Sequence, residues 1–251
     1  CLHPVYPCGE VGRHSEDPLR ALYNRTLDSV VEKTAQISFA QTDGFHYRCV
    51  WQSFFRAMTA IRLGRDTEFW NEYLPMFLRA YVKPNGLILH DAVLLDSPES
   101  SEAHLADIPD QKLLDMDETM PKFECWCGHD GGTTSNPLAK RYGVPVIEGN
   151  GDFLSMILET LLQSYGGVIR VFPAWKAERD ARFDNLIAEG NIAVTSAFRN
   201  GGVEFVRLVS RQKESVATKL ESPWTGEVME LVLEENKELL LTPKDQIPAQ
   251  E

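Results

Sequence analysis

The stretch VIEGNGDFLSMILETLLQS (146–164), followed by GGVIRVFPA (166–174), decides the fold, because the hydrophobic period changes across it. Phe153, Leu154, Ile157, Leu158, Leu161 and Leu162 recur at helical spacing and predict a helix over 153–164 with a wide buried face. After Gly166–Gly167 the apolar residues run on continuously, which reads as a strand. Ahead of the helix stand Glu148 and Asn150, separated by Gly149. A core helix has no need of such a pair.

Working forward, the segment 191–211 alternates apolar and polar residues around Asn200–Gly201–Gly202, a hairpin signal. SVATKL (215–220), EVMELVLEE (227–235) and KELLLTP (237–243) read as further strands, and RDARFDNLIAEG (179–190) as a short helix ending at Gly190. Working backward, 17–34 carries Leu19, Leu22, Leu27, Val30 and Val31 at helical spacing, with Asp17 as N-cap and Pro18 in the first turn. Trp51, Phe54, Phe55, Met58 and Ile61 give 47–63 one apolar face. LGRD (63–66) links it to a third helix bearing Phe69, Trp70, Tyr73, Phe77 and Tyr81. There Asp66 is the expected cap and Pro75 a bend. Two helices joined so tightly form an antiparallel pair. Between 83 and 150 the chain turns rich in Pro, Gly, Ser and Asp, with one short strand expected at 87–95. The class is α+β: a helical part over 1–165 and a β part over 166–251.

A length of 251 residues holds one large domain or two smaller ones. The net charge of −12 argues against a nucleic-acid partner, since phosphate backbones call for a basic face. No run of about 20 apolar residues predicts a membrane span. Five cysteines, an odd and low count, do not make a disulfide scaffold. The opening CLHPVYPCGEVG lacks a Met and reads as loop, so the chain is expected to be a mature or trimmed part of a longer protein.

Three groups of residues bear on chemistry. Glu148 and Asn150, between glycines at a helix start, admit two readings. A carboxylate there can deprotonate a water while an amide holds that water or a sugar hydroxyl. Alternatively, Asn150 or Asp152 caps the helix and Glu148 complements its dipole. Cys125, Cys127 and His129 are zinc-capable, but their spacing is short of the usual ligand pair and no second pair follows. A pocket wall with Trp126, whose face suits a sugar ring, is the other reading. His46, His90, Asp91, His129 and Trp51 line the mouth of a helical barrel or serve structure. No cofactor is expected.

The order of these segments resembles the second half of glycoside hydrolase family 95, the α-1,2-L-fucosidases and related α-L-galactosidases. Three landmarks carry the likeness: LHPVYPCGEV (2–11), VWQSFFRAMTAIRLGRDTEFWNEYL (50–74), and IEGNGDFLSMILETLLQS with GGVIRVFPA (147–174). The resemblance implies the last helices of an (α/α)6 barrel over 1–165, followed by a small antiparallel, β-sandwich-like domain over 166–251. It further implies an inverting hydrolase of terminal α-linked L-fucose-type sugars, met in a periplasm or outside the cell. The family's base Asp falls on Glu148 and its pocket Asn on Asn150. Trp51 falls on a family tryptophan, and His90 and Trp126 are further candidate sugar contacts. Two departures stand out. The base is one methylene longer, and the family's GNFGG reads GNGDF here. The family's general acid belongs to segments preceding those matched, so a missing N-terminal part is the expected partner, with an oligosaccharide as substrate. The alternative is a non-catalytic carbohydrate-binding relative of the same fold.

Overall fold

A computed structural model describes residues 2–39, 50–82, 85–89 and 146–246. The fold is mixed α+β. Helix α1 spans Asp17–Phe39, α2 Val50–Leu63, the short α3 Asp66–Glu68, α4 Leu74–Tyr81 and α5 Ile147–Leu161. Among the described residues no helix is long and apolar enough to cross a membrane.

Asp17 opens α1 rather than capping it, and the carbonyl of Glu16 takes the first amides, from Leu19 and Arg20. Asp66 likewise opens α3 and is not its cap. Arg65 stands at the N-cap without a side-chain capping bond, its guanidinium paired with Glu68 and Asp28, while Asp66 pairs with Arg13. Pro75 produces a change of helical pitch. A π-helical turn, Phe69–Tyr73, precedes α4, with the Leu74 amide bonded to the Phe69 carbonyl. A proline has no amide to give and crowds the carbonyl one turn back, and a widened turn relieves both.

Contacts at their ends give the relative directions of α2, α4 and α5. Arg62, in the last turn of α2, holds Glu159, near the end of α5, so these two lie with their C-terminal ends together. The end of α4 meets the start of α5 instead: Val82 bridges Ile88, and the Val146 amide bonds the Ile88 carbonyl at 2.9 Å. Helix α4 therefore runs opposite to α2 and α5, as the short link between α2 and α4 predicted. Phe54, Ile61, Phe69, Phe77, Tyr81 and Met156 fill the core between them.

Helix α5 ends at Leu161 because Leu162 turns extended and pairs with Val171. From there eight strands form: β1 Leu162–Gln163, β2 Val168–Val171, β3 Ala181–Ala188, β4 Ile192–Arg199, β5 Gly202–Ser210, β6 Val216–Glu221, β7 Val228–Leu233 and β8 Glu238–Leu241. One sheet has the order β1-β2-β6-β7 and the other β3-β4-β5-β8. Val171, Phe183, Val194, Val206, Leu208, Leu220 and Leu233 from both sheets meet in one apolar core. The sheets are not wholly antiparallel, since β2 pairs parallel with β6. The β4–β5 hairpin turns at Asn200–Gly201, both at positive φ, as its sequence predicted.

The helix expected over 179–190 is a strand, β3. Its apolar residues Phe183, Leu186 and Ile187 are spaced as on a helix only because the register slips between Phe183 and Leu186. Asn185 takes a positive φ of 57° at that bulge, and its amide bonds Thr195 Oγ1 at 3.0 Å. A bulge inserts a residue and breaks the two-residue alternation that marks a strand.

Candidate functional site

Helix α5 begins earlier than its sequence suggested. Val146 is the N-cap, in extended conformation and without a side-chain bond, so Glu148 and Asn150 sit inside the first turn. Neither Asn150 nor Asp152 caps the helix. The first turn tolerates its glycines because one of them is needed. A Cβ on Gly149 would lie 2.5 Å from Ile88 Cγ2, so only glycine lets the helix start close against the turn at 85–89. The backbone of that turn receives α5: Ile88 bonds Val146, and the Leu89 amide bonds the Tyr81 carbonyl at 2.9 Å.

A helical first turn changes which side chains share a face. Glu148 and Asn150, two residues apart, diverge by about 200° around the axis, whereas Glu148 and Asp152 lie within about 40° of each other. Glu148 and Asn150 are both exposed and Asp152 is half-buried. Burial raises the Asp152 carboxyl to about 6, and the charge of Glu148 adds to the rise. Its Oδ2 is buried with no hydrogen-bond partner among the described residues. Asp152 lies close enough to Tyr6 for its charge to be felt there. The Tyr6 ring packs edge-on against Phe54 and Phe55, with centroids 5.4 and 5.3 Å away.

Trp51 is half-buried in the first turn of α2 and packs on the helical core. Because α2 and α5 run the same way, Trp51, Glu148 and Asp152 belong to one end of the helix pair. His90, Trp126, His46, Asp91, Cys125, Cys127 and His129 lie outside the described residues. Among the described residues no group of His, Cys, Asp and Glu could hold a metal ion.

The other end of the pair is closed by one buried arginine. Arg62 Nε lies 2.7 Å from Glu159 Oε1, and its Nη1 donates to the carbonyls of Val5 at 3.1 Å and Pro7 at 3.3 Å. Its guanidinium sits 4.8 Å from the Tyr6 ring centre and 4.4 Å from that of Tyr165. Burial pushes the Glu159 carboxyl up, and its bond to Arg62 opposes that. Tyr165 also carries Arg170 of β2 at 5.7 Å, and Arg170 is paired with Glu221 at 2.7 Å. Two arginines, one from each core, thus flank one phenol ring. Trp70 Nε1 completes the junction with a 2.7 Å bond to the Ala174 carbonyl.

The three sequence landmarks therefore meet in space: 2–11 through Tyr6 and the carbonyls, 50–74 through Arg62, and 147–174 through Glu159 and Tyr165. Sequence reading missed this convergence, and it treated Asp152 only as a possible cap. The Glu148–Asp152 spacing of four was visible, but it carries meaning only once the helix is known to start at Ile147.

Compared with known proteins, no family model and no curated sequence matches this chain.

Proposed function

We propose that this chain supplies the general base of an inverting glycoside hydrolase resembling the family 95 α-L-fucosidases, with Glu148 as that base. The observation that carries the reading is an exposed carboxylate in the first turn of α5, at the same end of the α2–α5 pair as Trp51. Supporting it, α2 and α5 run parallel with α4 opposed, the alternation expected of hairpins in an (α/α)6 barrel. The convergence of the three landmarks on Arg62 supports it as well.

In this chemistry the Glu148 carboxylate takes a proton from a water as the water oxygen attacks the anomeric carbon. The glycosidic bond breaks, and a carboxylic acid protonates the leaving oxygen. The resemblance assigns that acid to a segment N-terminal to those matched here. Trp51 offers an aromatic face to the sugar. Asn150 is on the far side of the first turn from Glu148, so the two do not share a helix face.

The test compares the whole protein with its Glu148→Gln variant on aryl α-L-fucoside, aryl α-L-galactoside and fucosylated oligosaccharides. Loss of about 10³-fold or more in kcat, with substrate binding kept, is the expected result. Equal activity in the two proteins removes Glu148 from the mechanism. Binding of the oligosaccharides without hydrolysis by the wild type points to a carbohydrate-binding relative instead.

A further inference from the structure

We propose that Asp152 is a positioning residue for Glu148: a proton on its carboxyl, one helical turn away, orients the base's carboxylate, and loss of that proton releases it. The proposal rests on the reading of Glu148 as base.

Asp152 is four residues from Glu148 on one helix face, a separation at which side chains meet. Its Oδ2 is buried and has no hydrogen-bond partner among the described residues. An ionised carboxylate in that position leaves a charge out of water with nothing to balance it. A proton removes the charge and makes Asp152 an O–H donor one helical turn from Glu148. The groups around it are consistent with this. On its own helix Asp152 faces Glu148. From the N-terminal segment it faces Tyr6, a phenol that burial pushes up, with the charge of Arg62 opposing and those of Glu159 and Asp152 adding to the rise. Beyond Tyr6, Arg62 of α2 is already engaged with Glu159. Helix α4 presents a hydrocarbon ring to this part of α5, Phe77 stacked on Phe153 at 6.3 Å. Among these groups no cation is left to stabilise an Asp152 carboxylate, in keeping with its rise to about 6.

With the proton on Asp152, its O–H can hold the Glu148 carboxylate. With none, like charges push the two apart and the donor is gone. Activity carried by Glu148 should therefore fall as pH rises through about 6, the value to which Asp152 is raised.

The first experiment needs no substrate. The full chain, labelled with carboxyl-¹³C aspartate, is titrated by NMR as wild type and as Glu148→Gln, with Asp152→Asn to assign the signal. Asp152 is expected to titrate near pH 6 and to shift downward by about half a unit or more in Glu148→Gln. An Asp152 that titrates with ordinary carboxylates, or is indifferent to Glu148→Gln, overturns the proposal whatever the protein hydrolyses.

The second experiment uses the whole protein and any substrate it cleaves. Asp152→Ala is expected to lose about tenfold or more in kcat with KM little changed, and Asp152→Asn to recover most of it by restoring a donor. The alkaline limb of the kcat profile should move up by about one pH unit or more in Asp152→Asn. A limb in the same place as in wild type sinks the proposal. Failure of the Glu148→Gln test with the coupled titration intact would instead sink only the assignment of the reaction.

Discussion

The two cores of this protein are held by different means. The β-sandwich is held at its centre by apolar side chains, Val194, Val206 and Leu208 of one sheet packed with Leu220 and Leu233 of the other, and its buried Arg170 stands at the edge that meets the helices. The helical part has an apolar core of its own, but its ends are tied by charge. Arg62, nearly buried, reaches the backbone of the N-terminal segment, the carboxylate of α5 and two tyrosine rings. Hydrophobic burial is non-directional and forgives exchange of one apolar side chain for another. A buried guanidinium is directional, and its partners are stranded if it is removed. Most of the sandwich can thus be specified by pattern, the β3 bulge excepted, while the helical part depends on a few contacts between distant segments.

Substitutions can break this contrast. The largest effect is expected at Arg62. Arg62→Met leaves Glu159 buried without its partner and should cost about 3–5 kcal/mol in denaturant unfolding. Arg62→Lys should not restore it, because an ammonium cannot reach the carboxylate and two carbonyls in one fork. Recovery in Arg62→Lys, or a loss under about 1 kcal/mol in Arg62→Met, would show that the junction is held by packing alone.

Next comes Leu208 at the centre of the sandwich. Leu208→Ala should cost about 2–5 kcal/mol, and Leu208→Met less than about 1.5 kcal/mol, since volume is what matters there. Equal losses in the two variants would mean that this core is as particular as the Arg62 junction.

The smallest effect is at the start of α5. Alanine at Gly149 gains about 1 kcal/mol of helix propensity but meets Ile88 at overlapping distance, a cost of about 1–3 kcal/mol. Gly149→Ala should lower the melting temperature by a few degrees. Adding Ile88→Ala should give back part of the loss due to overlap, measured as coupling in a double-mutant cycle. A Gly149→Ala variant more stable than wild type would show that the first turn of α5 does not rest on Ile88.

The same contrast governs what could be read in advance. Strands β4 and β5, their Asn200–Gly201 turn, and strands β6 to β8 were legible because alternation and turn chemistry are local. Strand β3 was not, because its bulge at Asn185 mimics helical spacing and depends on a bond to Thr195 in the neighbouring strand. The helices were legible to within a turn or so where periodicity ran clean. The start of α5 was not, because Val146 is set by a backbone bond to Ile88, across a long separation in sequence.

By itself, then, the sequence determined the class of the fold, the change from helices to strands near residue 165, and Glu148 as the residue to ask about. Those rest on periods and residue types, which are local properties of the chain. Tertiary structure alone decided that Glu148 shares its face with Asp152 rather than Asn150. It also decided that one arginine gathers segments more than fifty residues apart. The physical reason is the same in both cases. Which residues share a helix face follows from where the helix begins, and that is fixed by a packing contact between Gly149 and Ile88 that no local pattern encodes.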